Sequence, residues 1–277
     1  MRRLIVNADD LGVNAPRTHG IFQCMEEGIV RSATLLVNMP DSLNAARRVK
    51  ERNISVGLHI NLSEGSPLTP EQDVHSLLDT RGYFLGKERT RQACDEGAVE
   101  PEHLEREIRA QIEWFFDHCG MPTHVDGHHH LHVHPIVTEL LPPILERYGI
   151  QRIRIPQEDT SDPRWEISPE RLAWIALIRK HAQAARILWE STGLRSTDHF
   201  RGIALTGEAN ARRLRHLIAA LPEGTTELMV HPGACDPLGD DFSRNPQRET
   251  ERNMLLDPEL PGLLQSRGIE LCSYNDL

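Results

Sequence analysis

Short β-branched runs alternate with amphipathic segments along this whole chain, and that alternation constrains the fold more than any other feature. Strands are expected at 4–6, 33–37, 55–62, 123–125, 152–155, 197–200, 227–230 and 269–272, eight in all. Helices are expected between them at 16–27, 42–52, 101–118, 136–148, 169–188 and 208–221, with one more near the end. Local signals support these bounds. Pro16 suits a first helical turn and Gly28 a stop, while Asp41 or Ser42 can cap the second helix. The third strand alternates, with Val56, Leu58, Ile60 and Leu62 on one face and His59 and Asn61 on the other. Strands separated by helices predict a parallel sheet covered by helices, and eight of them favour a closed or nearly closed barrel over an open sheet.

The 277 residues suit one such unit spanning 1–277, because no repeat or linker divides them. Within it, about 63–100 is rich in Gly, Pro and charge and reads as an inserted loop region, a place where lids are found. The stretch 157–168 reads as a polar loop. A net charge of −10 without a long basic run argues against a nucleic-acid partner. The five cysteines are odd in number, widely spaced and never arranged as C-x-x-C, which fits reduced thiols. Three apolar residues after the two N-terminal arginines are too few for a signal-peptide core, and no apolar run is long enough to span a bilayer. A cytoplasmic protein without a membrane partner is expected.

Six of the fifteen histidines fall between Thr123 and Pro135, in Thr-His-Val-Asp-Gly-His-His-His-Leu-His-Val-His-Pro. Such density suggests metal binding or proton transfer. Other reactive groups share an address with it in a parallel barrel, where strand C-termini open on one face. Asp9 and Asp10 follow the first strand, His59 lies in the third, and Asp126 and His128 follow the fourth. Arg154 lies in the fifth, and His231 ends a late one. Each has a plainer explanation. The acids could cap a helix, His59 could be a hydrogen-bonded core residue, Asp126 could fix a turn, Arg154 could be a surface charge and His231 a turn residue. In a site, paired carboxylates can divide between holding a cation and accepting a proton. Asp126 could orient a ligating histidine, and Arg154 could grip a carboxylate with two hydrogen bonds. If the histidine run is extended, His128, His130, His132 and His134 share a face and His129 points away. Spacing does not choose among those four.

Four stretches carry a resemblance: Val-Asn-Ala-Asp-Asp-Leu-Gly at 6–12, Gly-Leu-His-Ile-Asn-Leu at 57–62, Thr-His-Val-Asp-Gly-His-His-His-Leu-His at 123–132 and Met-Val-His-Pro-Gly at 229–233. In this order the chain resembles the YdjC-like (ChbG/HpnK) carbohydrate deacetylases over nearly its full length. Leu11 and Gly127 stand where the family often has Phe and Ser, and neither change removes a ligand. The resemblance implies a distorted (β/α) TIM-like barrel related to polysaccharide deacetylases, a metal-dependent hydrolase that removes the N-acetyl group from acetylated amino sugars. It matches Asp10, His59 and His128 to metal ligands, Asp9 to the general base and His231 to the general acid. Asp126, Arg154, His130 and His132 are left to support ligands or touch substrate. Mg²⁺ or Zn²⁺ is implied; two imidazoles and a carboxylate suit zinc well, whereas magnesium prefers oxygen. A homodimer is favoured by the resemblance alone. Two rival readings use the same residues: a non-haem iron oxygenase with two histidines and one carboxylate, and a metal- or sugar-binding barrel without turnover.

Overall fold

Strand β1 (Arg2–Leu11) forms the axis of the sheet in the computed structural model, which describes residues 1–54, 56–160 and 166–277. Its Leu4, Ile5, Val6 and Ala8 are wholly buried, as a central parallel strand covered on both faces requires. Helix α1 (Ala15–Glu27) returns the chain to β2 (Ser32–Leu35), and α2 (Ser42–Arg52) leads to β3 (Gly57–Ile60). After the inserted region come α3 (Lys87–Asp95), α4 (Pro101–Cys119), β4 (Val125–Gly127), α5 (Pro135–Arg147) and α6 (Pro169–Ser191). Strand β5 (His199–Arg201), α7 (Ala211–Ala219) and β6 (Gly224–Val230) follow. The short helices α8 (Asp241–Arg244), α9 (Gln247–Leu255) and α10 (Leu260–Ser266) precede β7 (Ile269–Leu271).

The sheet order is β4-β3-β2-β1-β6-β5, every pairing is parallel, and β7 also joins β1. One edge of β1 pairs with β6 from Arg2↔Gly224 to Ala8↔Val230. The other edge is shared, its start taken by β7 (Arg2↔Ile269) and its end by β2 (Asn7↔Ser32). The curled sheet and its helices enclose one main apolar core, giving the distorted (β/α) barrel. No helix among the described residues is long and apolar enough to cross a membrane.

Several sequence expectations need correction. The first strand does not end at Val6. It runs on through both acids to Leu11, with an irregularity in its pairing after Ala8 and Asp10 in the left-handed region at φ 66°. The fourth strand lies at Val125–Gly127, later than expected. The expected fifth strand at 152–155 makes only isolated bridges, Val125↔Ile153 and Arg152↔Arg195, while Glu158 bridges Phe200. Pro156, which lacks an N–H, interrupts any regular ladder there. The segment thus spans the gap between the two ends of the sheet, β4 and β5, and seven regular strands are described instead of eight. Ser55, the expected start of the third strand, and 161–165 of the expected polar loop lie outside the described residues.

The inserted region is also more ordered than its composition suggests. It contains α3 and two 3₁₀ turns, Glu71–Asp73 and His75–Leu77. Helix α3 buries only Thr90, Arg91 and Cys94, so it leaves little apolar periodicity to read. Buried Glu107 on α4 anchors the region by accepting from the Leu68 and Thr69 backbone N–H groups, each at 3.0 Å.

Candidate metal and catalytic site

Asp10 is placed by the irregular end of β1, and its left-handed backbone sets the carboxylate into a pocket of about 250 Å³. A non-glycine residue at positive φ is costly and tends to persist where function needs it. Asp10 Oδ1 lies 3.5 Å from His59 Nε2 and 3.2 Å from His128 Nδ1, yet it receives no hydrogen bond and is fully buried. These three residues offer ligand atoms that all lie within 4.8 Å of one another. The other oxygen, Oδ2, accepts from Arg17 Nη1 at 2.9 Å. Burial works against the Asp10 charge, but His128 and His59 outweigh it and hold its pKa well below the usual carboxylate range.

His59 projects from β3, and its Nδ1 lies 2.6 Å from Asp126 Oδ1 on β4. That contact directs Nε2 toward Asp10. Burial disfavours the imidazolium, but Asp126 and Asp10 outweigh it and raise the pKa to about 10. His128 is similar: burial is overcome by Asp10 and Glu64, and its pKa rises to about 9. Two imidazoles that hold protons this firmly sit in a strongly negative field, which favours any cation able to replace those protons.

Behind this cluster stands Arg154, fully buried. Its Nη1 is 2.6 Å from Asp9 Oδ2 and 2.7 Å from Asp126 Oδ2, and its Nη2 is 2.7 Å from Asp9 Oδ1 and 2.6 Å from Glu227 Oε1. Asn7 Nδ2 donates to Asp9 Oδ1 at 2.8 Å. Three of the roughly four lone-pair positions of the Asp9 carboxylate are therefore taken, leaving about one on Oδ2. Tyr274 donates to Glu227 at 2.5 Å.

His231 directly follows β6 and lines the same pocket as Asp9 and Asp10. Its backbone N–H donates to Glu251 Oε2 at 2.6 Å, its carbonyl accepts from Arg248 at 2.9 Å, and its ring meets Phe242 edge-on. Burial dominates its titration and lowers the pKa to about 4, despite Asp10, Glu251 and Asp9.

The histidine run is not extended. Residues 128–133 form a 3₁₀ turn in which His129 and His130 adopt left-handed conformations, so the expected common face of His128, His130, His132 and His134 does not exist. Each ring goes elsewhere. His129 Nδ1 meets Ser63 Oγ at 2.9 Å, His130 reaches the pocket wall and packs edge-on against Phe200, and His134 Nε2 meets Asp95. His132 donates to the Arg154 carbonyl at 3.1 Å and lies against Trp189. Of Asp126, Arg154, His130 and His132, only His130 lines the pocket; the other three sit behind it.

Sequence reasoning missed Arg17 and Glu64. Arg17 sits one turn into α1 and looks like an ordinary helix charge. Its burial depends on α1 pressing against the loop after β6, where a Cβ on Gly20 would lie 2.6 Å from Gly233 Cα. Glu64 follows β3 as the other site residues follow their strands, and that position was the available signal.

A parallel α/β barrel whose carboxylates and imidazoles gather where its strands end has the layout of a barrel enzyme. The YdjC-like protein family profile matches residues 3–266. The carbohydrate deacetylase of Mus musculus is 36% identical over 294 aligned residues, covering 99% of this chain and 94% of its own. That of Geobacillus stearothermophilus is 34% identical, covering 99% and 98%. A candidate cellobiose-phosphate cleavage protein of Enterococcus faecalis V583 superposes with a TM-score of 0.74 at 25% identity, over 99% of this chain and 98% of its own. The chain belongs to the YdjC-like family.

Proposed function

We propose that this protein is a carbohydrate deacetylase that removes the N-acetyl group from acetylated amino sugars with the help of a divalent cation, Mg²⁺ or Zn²⁺. One observation carries the reading. A buried carboxylate oxygen with no hydrogen bond, Asp10 Oδ1, stands beside two imidazole nitrogens in a pocket that Asp9 and His231 also line. The donor set of one oxygen and two nitrogens fits zinc well and magnesium less well. Asp10, His59 and His128 would hold the ion, which supplies polarisation of the acetamide carbonyl and of water.

The chain's own residues then handle two protons. Asp9, fixed by Arg154 and Asn7, accepts the proton that the attacking water gives up, at its remaining Oδ2 position. His231 is neutral at rest and needs a proton before it can serve the departing amine. The proton taken from water is the one the reaction itself provides, so Asp9 and His231 act in series. Acetic acid and a free amino sugar result, and the acid passes its remaining proton to the amine or to solvent as it becomes acetate. The parallel barrel counts against the oxygenase reading, whose usual scaffold is a β-sandwich. A homodimer remains part of the proposal and is checked by light scattering.

The deciding experiment is acetate release from N-acetylated chitobiose by chelator-stripped protein, before and after adding Zn²⁺ or Mg²⁺. Activity that returns only with metal is expected. No acetate under either condition would sink the reading, and full activity in the stripped protein would remove the cation from it.

A further inference from the structure

Both candidate histidine ligands have a carboxylate at their far ring nitrogen, but the two carboxylates are held very differently. His59 Nδ1 faces Asp126 Oδ1 at 2.6 Å, and Asp126 is itself fixed by Arg154 and Thr34 in the barrel interior. His128 Nδ1 faces Asp10, so its Nε2 points outward, where it meets Glu64 Oε2 at 3.2 Å. Glu64 lies at the pocket mouth with its side chain about a third exposed.

The turn after β3 is built to present Glu64. Its backbone N–H donates to Asn61 Oδ1 at 3.0 Å, and its carbonyl accepts from Asn61 Nδ2 at 2.8 Å. Buried Asn61 is held in turn by Gln111 of α4, through its own N–H and carbonyl. An imidazole can give a lone pair to a cation from one nitrogen only if the proton sits on the other, and a carboxylate at that second nitrogen fixes the tautomer and ring orientation.

We infer that Glu64 is the positioning residue for His128: it accepts a hydrogen bond from Nε2–H and so keeps the Nδ1 lone pair aimed at Asp10. The inference rests on the reading of Asp10, His59 and His128 as cation ligands. It gives the turn after β3 a specific task, since the same short segment carries His59 and the support for His128. It also couples the ion site to the inserted region. His129, whose Nε2 lies 3.7 Å from Glu64 Oε1, has its carbonyl held by Arg91 of α3 at 2.8 Å.

The test uses full-length, chelator-stripped protein and Zn²⁺ affinity measured by competition with a chromophoric chelator. Glu64→Ala is expected to weaken Zn²⁺ about 10–100-fold while one ion still binds per chain. Glu64→Gln, whose amide oxygen can still accept from Nε2–H, should lose less. In the Zn²⁺-loaded protein, nitrogen-15 spectra should show a slowly exchanging His128 Nε2–H that disappears in Glu64→Ala; a merely structural role would leave it unmoved. Affinity within twofold of the parent overturns the assignment. So does a stoichiometry falling from two ions to one, which would make Glu64 a ligand of a second cation together with His128 and His129. His59→Ala runs alongside. If it leaves Zn²⁺ binding intact, the ligand reading fails and the Glu64 assignment falls with it. If His59→Ala loses the ion and Glu64→Ala does not, only the Glu64 assignment fails.

Discussion

Arg154 neutralises more than it can balance. One guanidinium contacts Asp9, Asp126 and Glu227 in a fully buried position, and the excess negative charge is relieved in two ways. Burial raises the pKa of Glu227 against the pull of Arg154 and Tyr274, and Asp126 shares its charge with His59. Replacing Arg154 with Leu strands three carboxylates and should cost about 3–5 kcal/mol in urea unfolding. Arg154→Lys should recover part of that stability but little activity, since an ammonium cannot grip Asp9 with two parallel bonds. A lysine variant with parental turnover would contradict the positioning of Asp9. The proposed serial use of Asp9 and His231 makes a separate prediction. Asp9→Asn and His231→Ala should each lower kcat by about 10²–10⁴-fold with metal content unchanged, and the double variant should be no worse than the poorer single one. Multiplying losses would show that the two residues act independently.

At the level of elements, helix α1 and the loop after β6 form one unit. Gly20 and Gly233 permit an approach that no side chain allows, and Arg17 reaches Asp10 across that contact. Gly20→Ala forces α1 outward, and overpacking of this kind costs about 1–3 kcal/mol. A lower melting temperature and weaker Zn²⁺ binding are expected together; loss of one without the other would separate the contact from the site. This contact also shows why some of the site could be read from sequence and some could not. His59 was drawn to the site by its strand position, whereas His128 was singled out among four histidines only by the family resemblance. Arg17 was not, because its role depends on two glycines distant in sequence. The histidine run misled for a related reason: alternation presumes an extended backbone, and His129 and His130 turn left-handed, sending successive rings in different directions. The irregular end of β1 was hidden because Asn-Ala-Asp-Asp is turn-like composition that here extends a strand. Helix α3 was missed because it packs with arginine and threonine instead of an apolar stripe.

Across the whole molecule, buried neutral histidines set the response to acid. Burial lowers the pKa of both His124 and His132 to about 3, whereas an unfolded histidine titrates near 6.5. Between those values the unfolded chain binds more protons than the folded one, so stability falls as pH drops from about 6.5 toward 3. The limiting slope is about 1.4 kcal/mol per pH unit for each group. The urea midpoint should therefore fall between pH 7 and pH 5. His124→Phe, which keeps a ring against Tyr274, should flatten the decline; an unchanged slope would place the proton uptake elsewhere. A closed or nearly closed barrel was readable from strand–helix alternation, but the way its ends meet was not. The segment at 152–158 joins the ends of the sheet through single bridges, too few to shape a strand pattern.

The pairing of β1 has a consequence for how the protein is made. This strand is made well before two of its partners, since β6, which pairs with Arg2 through Ala8, and β7, which pairs with its start, lie far along the sequence from it. At roughly 5–20 residues per second, β1 waits about 10–40 s with an apolar surface uncovered. Contacts this distant in sequence also make folding slow. The acids that define the site are thus synthesised long before His231. The pocket cannot assemble until β6 and His231 have been made, so a chain cut short before β6 would be a substrate for chaperones and proteases rather than a partly active enzyme.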